Sequence, residues 1–265
     1  MHILITNDDG IECAGLWALA AALRDAGHGQ VTVVAPTLDH SGIGMGFPPR
    51  GLHTLTPIAP PDPAYAGIAA YAYDGTPVGC VAAAMLGGLP SLPDVVVSGI
   101  NRGLNAGSNV MLSGTVGAAM IGALWGLPAM AISQQFVDEQ PMTWGTAAWV
   151  AARLFPLLGQ LSGQPTSPRL VLNINVPRAE TPAELRGFRQ TVLSDFFFGD
   201  YLDADRETSV DEQRIRYRFN RTRLPVFDET SDDGAVRAGY VAITVLAPMS
   251  AYPGLDLRSA LAAIE

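Results

Sequence analysis

The sequence predicts an α/β fold built on a doubly wound, mainly parallel sheet. Over residues 1–135, short apolar strands such as 31–35 alternate with segments of helical periodicity, which is typical of this class. The chain has 265 residues, of which 48% are hydrophobic, so it can bury a full core. Polar loops rich in glycine and asparagine follow several strands, as in open sheets that bind ligands at the carboxyl ends of their strands.

Turn and capping residues set the bounds of the elements in the first half of the chain. Pro36 ends the second strand, and Gly99 marks the end of the third. Thr76 and Pro77 are typical of a helix N-cap and first turn, and the proline-rich stretch 47–73 indicates edge strands and loops. The predicted elements are strand 2–6, helix 15–26, strand 31–35, helix 78–87, strand 94–99 and helix 116–124.

The second half of the chain changes character after a few further core elements. These are strand 128–133, helix 143–161, strand 170–175 and a last strand, 239–244. Residues 215–219 alternate polar and aromatic side chains within an arginine-bearing region, which suits a half-exposed β-hairpin. A long exposed hairpin tends to pair with a partner subunit. We therefore predict a core formed by 1–185 with 235–265, and an oligomerisation arm formed by 186–234.

Composition excludes several classes of protein. All 16 basic residues are arginine, the 25 acidic residues leave a net charge of -9, and no basic run offers a groove for nucleic acid. An acidic protein binds small phosphates only if a cation inverts the local field. No apolar run is long enough to span a bilayer. Cys13 and Cys80 form no CxxC motif and follow no secretory signal, so we expect buried thiols and a cytosolic location.

Two adjacent carboxylates, Asp8 and Asp9, follow the first strand. Neighbouring carboxylates raise each other's pKa unless a cation holds them, and hard oxygen ligands suit Mg²⁺, Mn²⁺ or Ca²⁺. The pair is therefore interpreted as half of a metal site. The alternative is a helix N-cap, in which Asp9 caps the first helix and Gly10 makes the turn. These residues alone leave both interpretations open.

Three loops, 7–10, 39–44 and 98–115, follow three strands of the predicted parallel sheet. The carboxyl ends of parallel strands point the same way, so we expect the loops to converge on one edge. Two carboxylates and a few neutral oxygens fill only part of the shell of an octahedral cation, so positions remain open for water or substrate. The backbone N–H groups at the start of the helix after residue 113, and those of the Gly-x-Gly at 42–44, can bind an anion. The oxygen donors there are Asp8, Asp9, Ser41, Asn101, Asn105, Ser113 and Thr115. A metal beside an anion pocket predicts phosphoryl chemistry.

Two other catalytic patterns are excluded. Asp39, His40 and Ser41 include the residue types of a hydrolase triad, but neighbours in one loop cannot easily face each other, and no G-x-S-x-G motif is present. The Gly-x-Gly at 42–44 is not followed by the glycine pattern of a dinucleotide-binding strand–turn–helix unit.

At this point the motifs resemble those of the SurE family, the stationary-phase survival nucleotidases. The matching segments are 7–10, 35–36 leading to 41–42, 73–77, 98–105, 113–116, 173–177, Asp232 and 239–241, in the same order along the chain. The resemblance implies a Rossmann-like, three-layer phosphatase that uses one divalent cation per subunit, Mg²⁺ or Mn²⁺. Its expected substrates are nucleoside 5′- or 3′-monophosphates, and some members also hydrolyse short polyphosphate. Homodimers or homotetramers are expected, with the C-terminal hairpin exchanged between subunits.

The resemblance also assigns roles to individual residues. The metal ligands would be Asp8, Asp9, Ser41 and Asn101. The phosphate-binding residues would be Gly42, Gly44, Asn105, Ser113, Gly114 and Thr115, and the catalytic residues Asp8, Asp9, Asn105 and Ser113. Three positions depart from the family: Asn109 replaces an acidic residue, Leu112 an aromatic residue or histidine, and Ile121 a frequent glutamate. These departures bear on substrate preference and on the choice of metal.

The expected mechanism is in-line attack on phosphorus by a metal-activated water, with Asn105, Ser113 and the turn at Thr115 stabilising the phosphate oxygens. An aspartyl-phosphate intermediate is the competing chemistry. The non-catalytic alternative is a metal-gated nucleotide-binding or receiver-like signalling domain. Receiver domains need a lysine near the site, and this chain contains none.

Overall fold

A computed structural model describes residues 1–161, 169–208 and 212–247. The predicted α/β class is confirmed. The strands are β1 (His2–Thr6), β2 (Gln30–Pro36), β3 (Leu55–Ile58), β4 (Ala69–Tyr73), β5 (Val95–Arg102), β6 (Ala129–Gln134), β7 (Val171–Val176), β8 (Phe188–Thr191), β9 (Leu202–Thr208), β10 (Gln213–Phe219) and β11 (Val241–Leu246). The helices are α1 (Ala14–Asp25), α2 (Pro77–Ala83), α3 (Gly114–Leu124), α4 (Trp144–Leu154), α5 (Leu158–Leu161) and α6 (Asp232–Arg237).

Nine of these strands form one sheet in the order β3-β4-β2-β1-β5-β6-β7-β11-β8. The six strands from β4 to β7 are parallel, and β1 lies at the centre, with Ile3 opposite Val31 on one side and Val95 on the other. β3 and β11 run antiparallel to β4 and β7. The mainly parallel sheet is therefore confirmed, and the carboxyl ends of six neighbouring strands share one edge.

Helices cover both faces of the sheet. α1 and α4 pack together on one face, where Trp17 and Val150 belong to a single buried apolar cluster. α2 and α3 pack on the other face, where Cys80 and Val116 belong to a second cluster. The predicted three-layer arrangement is confirmed, and both cores are built from the apolar stripes of these helices and the buried strands.

Local bounds differ from the predictions at several places: α2 ends at Ala83 instead of 87, β11 lies two residues later than the predicted 239–244, and three further differences follow. α1 begins at Ala14, and its N-cap, Cys13, makes no side-chain cap hydrogen bond, so the interpretation of Asp9 as the cap is wrong. β5 continues past Gly99 to Arg102 with a register shift against β6, which places Asn101 on a strand end rather than in a loop. α4 ends at Leu154 because Pro156 cannot continue an α-helix, and a 3₁₀ turn follows.

The β9–β10 hairpin forms a separate two-stranded antiparallel sheet. Its existence confirms the predicted strand at 215–219, but β10 is exposed along its whole length instead of being half buried. Within the range 186–234 assigned to the arm, β8 pairs with β11 in the main sheet. The division into a core and an arm stays a prediction, and residues 248–265 of the predicted core lie outside the described residues.

Two further expectations concern cysteines and membranes. Both cysteines are free thiols; Cys80 is buried, as expected, whereas Cys13 is only half buried. Among the residues that the structure describes, no helix is long and apolar enough to cross a membrane.

Candidate active site

The three predicted loops meet at the carboxyl edge of the sheet. The backbone N–H of His40 donates to the Asp8 carbonyl at 2.8 Å, and the N–H of Gly44 donates to the Leu112 carbonyl at 2.9 Å. These bonds tie the loop after β2 to the turn after β1 and to the segment before α3. A cavity of about 720 Å³ opens at this edge, a size common for small-molecule sites. Its lining includes Asp8, Ser41, Gly42, Asn101, Asn105 and Ser113.

A buried asparagine shapes the turn that presents the two carboxylates. The side-chain amide of Asn7 donates to the Gly10 carbonyl at 2.9 Å, and the Gly10 N–H donates back to the Asn7 side-chain oxygen at 3.2 Å. Asn7 is fully buried and holds the turn in one conformation. Asp8 and Asp9 are thereby fixed at the end of the central strand.

Asp8 is almost completely buried, at 2% exposure, against the start of α3. The hydroxyl of Thr115 donates to its Oδ1, and the Thr115 backbone also bonds to this carboxylate. Burial raises the pKa of Asp8, and the hydrogen bonds from Thr115 oppose that rise. A Cβ on Gly114 would lie 2.7 Å from the Asp8 Cβ, so only glycine allows α3 to approach this closely.

Asp9 has one buried carboxylate oxygen, Oδ2, with no hydrogen-bond partner among the described residues. Burial, followed by the charge of Asp8, raises the pKa of Asp9 to about 7. The Asp9 carboxylate has a backbone hydrogen bond with Arg102, but a buried oxygen left without a partner is costly, and a bound cation relieves this cost. The carboxylate pair therefore fits a cation.

Neutral oxygens must complete any such cation site. Within the described chain, no group of three or more His, Cys, Asp or Glu side chains is placed to hold a metal. Asn101 donates its amide N–H to the Gly103 carbonyl at 2.8 Å, which leaves the side-chain oxygen as a ligand. Ser41 is exposed at the cavity, and its turn is closed by Asp39, which accepts the Ser41 backbone N–H at 2.7 Å. Two carboxylates with amide and hydroxyl oxygens suit Mg²⁺ or Mn²⁺.

Asn105 is held by an asparagine clamp that the sequence analysis did not assign. Its side-chain amide donates to the Ser133 hydroxyl at 2.9 Å, and its backbone N–H donates to the Asn175 side chain at 2.9 Å. Asn173 and Asn175 both donate to the Asn105 carbonyl, at 2.8 and 2.9 Å. The available signal was a pair of asparagines two residues apart in an apolar strand, because buried amides need partners on the face they share.

The residues at the start of α3 divide between two tasks. Ser113 lines the cavity and caps α3, since its hydroxyl oxygen accepts the Val116 N–H at 3.0 Å; its own O–H is available to a ligand. Thr115 and Gly114 are buried against Asp8 and do not line the cavity. Gly44 does not line the cavity either, and its backbone N–H donates to the Leu112 carbonyl. The geometry thus brings Gly42, Asn105 and Ser113 to the cavity, and places the other three predicted phosphate-binding residues behind it.

Four phenylalanines also line the cavity, and the sequence analysis did not assign them either. They are Phe136, Phe196, Phe198 and Phe219, and the Arg102 guanidinium lies 4.3 Å from the ring centre of Phe136. These side chains come from separate segments of the chain, so no local pattern marks them. Two of the three departures from the family also line the cavity: Asn109 and Leu112.

The family model and the named relatives that match this chain all belong to one family. A family model described as "Survival protein SurE" matches residues 3–199. A protein named 5′-nucleotidase SurE from Synechococcus sp. (strain JA-3-3Ab) is 38% identical, covering 97% of this chain and 95% of its own length. A protein with the same name from Chloroflexus aggregans (strain MD-66 / DSM 9485) is 41% identical, covering 92% of each chain.

A solved structure is similar over the whole chain. The crystal structure of the SurE protein from Aquifex aeolicus aligns with a TM-score of 0.76 at 26% identity, covering 100% of this chain and 99% of that chain. The agreement includes the mainly parallel sheet that positions the cavity.

Proposed function

Because the chain belongs to the survival protein SurE family, we propose that it is a divalent-cation-dependent 5′-nucleotidase, which hydrolyses nucleoside 5′-monophosphates to nucleoside and phosphate. Relatives covering nearly the whole chain carry the name 5′-nucleotidase. The observation on this chain that supports the proposal most directly is that Asp8 lines an open cavity while its neighbour Asp9, which is outside the lining, has a buried carboxylate oxygen without a partner. Activity on 3′-monophosphates and short polyphosphate is part of the same proposal.

The cation is assigned to the carboxylates of Asp8 and Asp9 and the side-chain oxygens of Ser41 and Asn101. When bound, a divalent cation offsets the charge of the phosphate and makes a water molecule more acidic. Mg²⁺ and Mn²⁺ are the ions that this set of oxygen donors favours, with one ion per subunit.

The chain's own groups bind and orient the ester. Asn105 retains one amide N–H beyond the one given to Ser133, and Ser113 retains its O–H, so both can donate to phosphate oxygens. Gly42 lines the cavity with an open backbone, where an anion can approach closely. Asp8 accepts a hydrogen bond from Thr115, and we assign to it the orientation of the attacking water. The clamp around Asn105 fixes its position before substrate arrives, which reduces the cost of ordering it.

Two alternatives make different predictions. In the competing chemistry, Asp8 or Asp9 attacks phosphorus itself and forms an aspartyl-phosphate. If this intermediate forms, rapid quench with ³²P-labelled substrate traps labelled protein. If water attacks phosphorus directly, no labelled protein is trapped. In the non-catalytic alternative, the chain binds nucleotide in a metal-gated way and releases no phosphate.

The test of the proposed function is phosphate release from AMP, GMP and p-nitrophenyl phosphate, with EDTA and after addition of Mg²⁺ or Mn²⁺. We expect release only with the cation, and a loss of at least ~10³-fold in Asp8→Asn, because this carboxylate serves both the cation and the water. Asp25→Asn is the matched control, since Asp25 is an exposed acid on α1 that pairs with Arg24. Equal release with EDTA, or a fully active Asp8→Asn variant, contradicts the proposal.

The proposed assembly is a homodimer or homotetramer, with the β9–β10 hairpin as the contact. Ile215 and Tyr217 lie two residues apart on β10, on one face of the hairpin, at 49% and 65% exposure. Exposed apolar side chains of this kind are typical of surfaces that pair with another chain. The cytosol is the proposed location.

A further inference from the structure

The cavity that holds the proposed cation site also has aromatic walls, called here the aromatic compartment, that the proposed phosphate chemistry does not use. Phe136, Phe196, Phe198 and Phe219 line this compartment, together with the carboxylate-bearing residue Asp233. At about 720 Å³ the whole cavity exceeds what a phosphate and a cation need. Flat apolar walls beside a phosphate site suit a nucleobase, because every base presents a π-face to stack on an aromatic ring.

The aromatic walls are held rigidly against the phosphate side of the cavity. The Ser108 N–H donates to the Phe196 carbonyl at 3.0 Å, and the Phe198 N–H donates to the Asn109 side-chain oxygen at 3.0 Å. A Cβ on Gly107, which has a φ of +56°, would lie 2.5 Å from the Phe196 carbonyl oxygen, so the two segments are in direct contact.

A buried carboxylate fastens the same two segments to α6. Asp232 is fully buried and accepts the backbone N–H groups of Gly107 at 2.9 Å and Ser194 at 3.0 Å, and that of Asp233 at 2.9 Å. The compartment is therefore preformed, and its polar end is set by the first turn of α6. A preformed pocket loses less free energy to ordering when it binds a ligand.

Asp233 provides the polar group of this compartment. It is only 4% exposed, its Oδ2 accepts the Ser194 hydroxyl at 2.7 Å, and its Oδ1 makes no hydrogen bond to any described residue. Ser194 also accepts the Phe196 N–H at 3.4 Å, so Asp233 stands directly beside an aromatic wall. A carboxylate that lines a cavity with one oxygen unused is an acceptor for N–H groups of a ligand.

We propose that this compartment binds the base of the nucleotide and that Asp233 selects guanine. Guanine presents two adjacent N–H donors, at N1 and N2. The unused Oδ1 of Asp233 can accept one of them, and Oδ2 can accept the other on its second lone pair, beside the Ser194 hydroxyl. Adenine presents a donor and an acceptor side by side. Arg237, one turn further along α6, also lines the cavity and can donate to the guanine O6. The inference rests on the proposed function, since it names the substrate of the same cavity.

The charge state of Asp233 suits this role. Burial raises its pKa to about 6, the Ser194 hydrogen bond and the Arg237 charge lower it, and the neighbouring Asp232 carboxylate raises it. Asp233 is then ionised at neutral pH and has no proton to offer to the acceptor N1 of adenine. The ionised carboxylate can accept the N–H groups of guanine and cannot donate to N1 of adenine, so it favours guanine over adenine.

The test compares kcat/KM for GMP, IMP and AMP in the wild-type protein and in Asp233→Asn. We expect the order GMP, IMP, AMP, since IMP keeps the N1–H and lacks the 2-amino group. In Asp233→Asn the GMP-to-AMP ratio falls by about 10- to 100-fold, the range that a bidentate contact to a base contributes to discrimination. Asp195→Asn, an exposed acid in the neighbouring segment, is the matched control and keeps the wild-type ratio.

Guanosine and adenosine supply a second measurement that does not depend on the variant. With p-nitrophenyl phosphate as substrate, we expect guanosine to inhibit the wild-type protein at least ~10-fold more strongly than adenosine. Equal inhibition, a GMP-to-AMP ratio near or below one, or a ratio unchanged in a folded Asp233→Asn variant overturns the inference. If none of the nucleoside monophosphates is hydrolysed, the proposed function fails, and calorimetric titration with guanosine and adenosine still tests the compartment.

Discussion

The carboxyl edge of the sheet and the β9–β10 hairpin both carry many charged and polar groups, but they hold them in opposite environments. At the edge, Asp8 is buried and its partner Thr115 is buried with it. On the hairpin, Arg218 and Asp205 form a bidentate pair at 2.7 and 2.9 Å in which both side chains are more than half exposed. Hydrogen bonds to a carboxylate therefore have different consequences in the two regions.

The difference follows from solvent. At the buried edge, removing Thr115 leaves the Asp8 carboxylate without this hydrogen bond and away from water, which changes the pKa and the position of that carboxylate. On the exposed hairpin, water and salt replace a lost partner at little cost. Chemistry is therefore expected at the edge, while the hairpin, which buries little against its own chain, is suited to contact another chain.

The largest effect outside the cation ligands is expected at Thr115. We predict that Thr115→Val lowers kcat/KM for AMP by about 10- to 100-fold, the usual range for a residue that orients a metal ligand. The cause is loss of the hydroxyl that positions Asp8 and lowers its pKa. Steady-state kinetics across pH 6 to 9 measure this, and the deficit should be greatest at low pH, where Asp8 is protonated more readily.

Two variants separate this positioning role from helix capping. Thr115→Ser keeps the hydroxyl and should restore most of the activity. Thr76→Ala removes the hydroxyl that caps α2 by accepting the Gly79 N–H at 3.1 Å, and should cost about 1 kcal/mol of stability without a shift in the pH profile. A Thr115→Val variant with wild-type kcat/KM at every pH would show that Asp8 needs no such support.

The second prediction concerns the stability of the cation-free protein. The pKa of Asp9 is about 7 when folded and 3.8 as a free side chain, so the native state binds the proton more tightly than the unfolded state. The sign follows from linkage: this contribution is favourable at low pH and is lost as pH rises through about 7. Asp9→Asn should therefore raise the melting temperature in EDTA, and by more at pH 8 than at pH 5.

Asp25 is the matched comparison for Asp9, because its pKa is lowered by the hydrogen bond from Arg24. A lowered pKa gives a contribution that is fully present above the free value of 3.8 and lost only on acidification below it, so Asp25→Asn should show the same small loss at pH 5 and at pH 8. Scanning calorimetry at the two pH values measures both variants. Equal gains in melting temperature for Asp9→Asn at pH 5 and pH 8 would contradict the assignment of a raised pKa to Asp9.

Sequence reasoning recovered the elements whose signals are local. The β-branched run 31–35 gave β2, and Thr76 with Pro77 marked the start of α2. It placed Asp8, Ser41, Asn101 and Asn105 at one edge because parallel strands end together, which is a consequence of topology alone.

What sequence reasoning could not recover depends on contacts between distant segments. The phosphate-binding role of Thr115 stays a prediction, whereas its hydrogen bond to Asp8, made where α3 packs closely at Gly114, could not be predicted from the sequence. The aromatic compartment joins Phe136 to residues near 196 and 219, and Asp233 reaches it through Ser194. None of these contacts leaves a periodic or spaced pattern in the chain, so only the folded structure identifies them.

The smallest effects on stability and activity are expected for substitutions on the β9–β10 hairpin, which differs most from the carboxyl edge of the sheet in its exposure to solvent. Asp205→Ala removes the exposed pair with Arg218 and should leave both the melting temperature and the assembly unchanged, since both side chains are solvated. Ile215→Ser with Tyr217→Ser removes the apolar face and should shift the protein toward monomer while kcat remains within about threefold. Light scattering after size-exclusion chromatography measures both variants. A double variant that assembles like the wild-type protein would assign the contact to another surface.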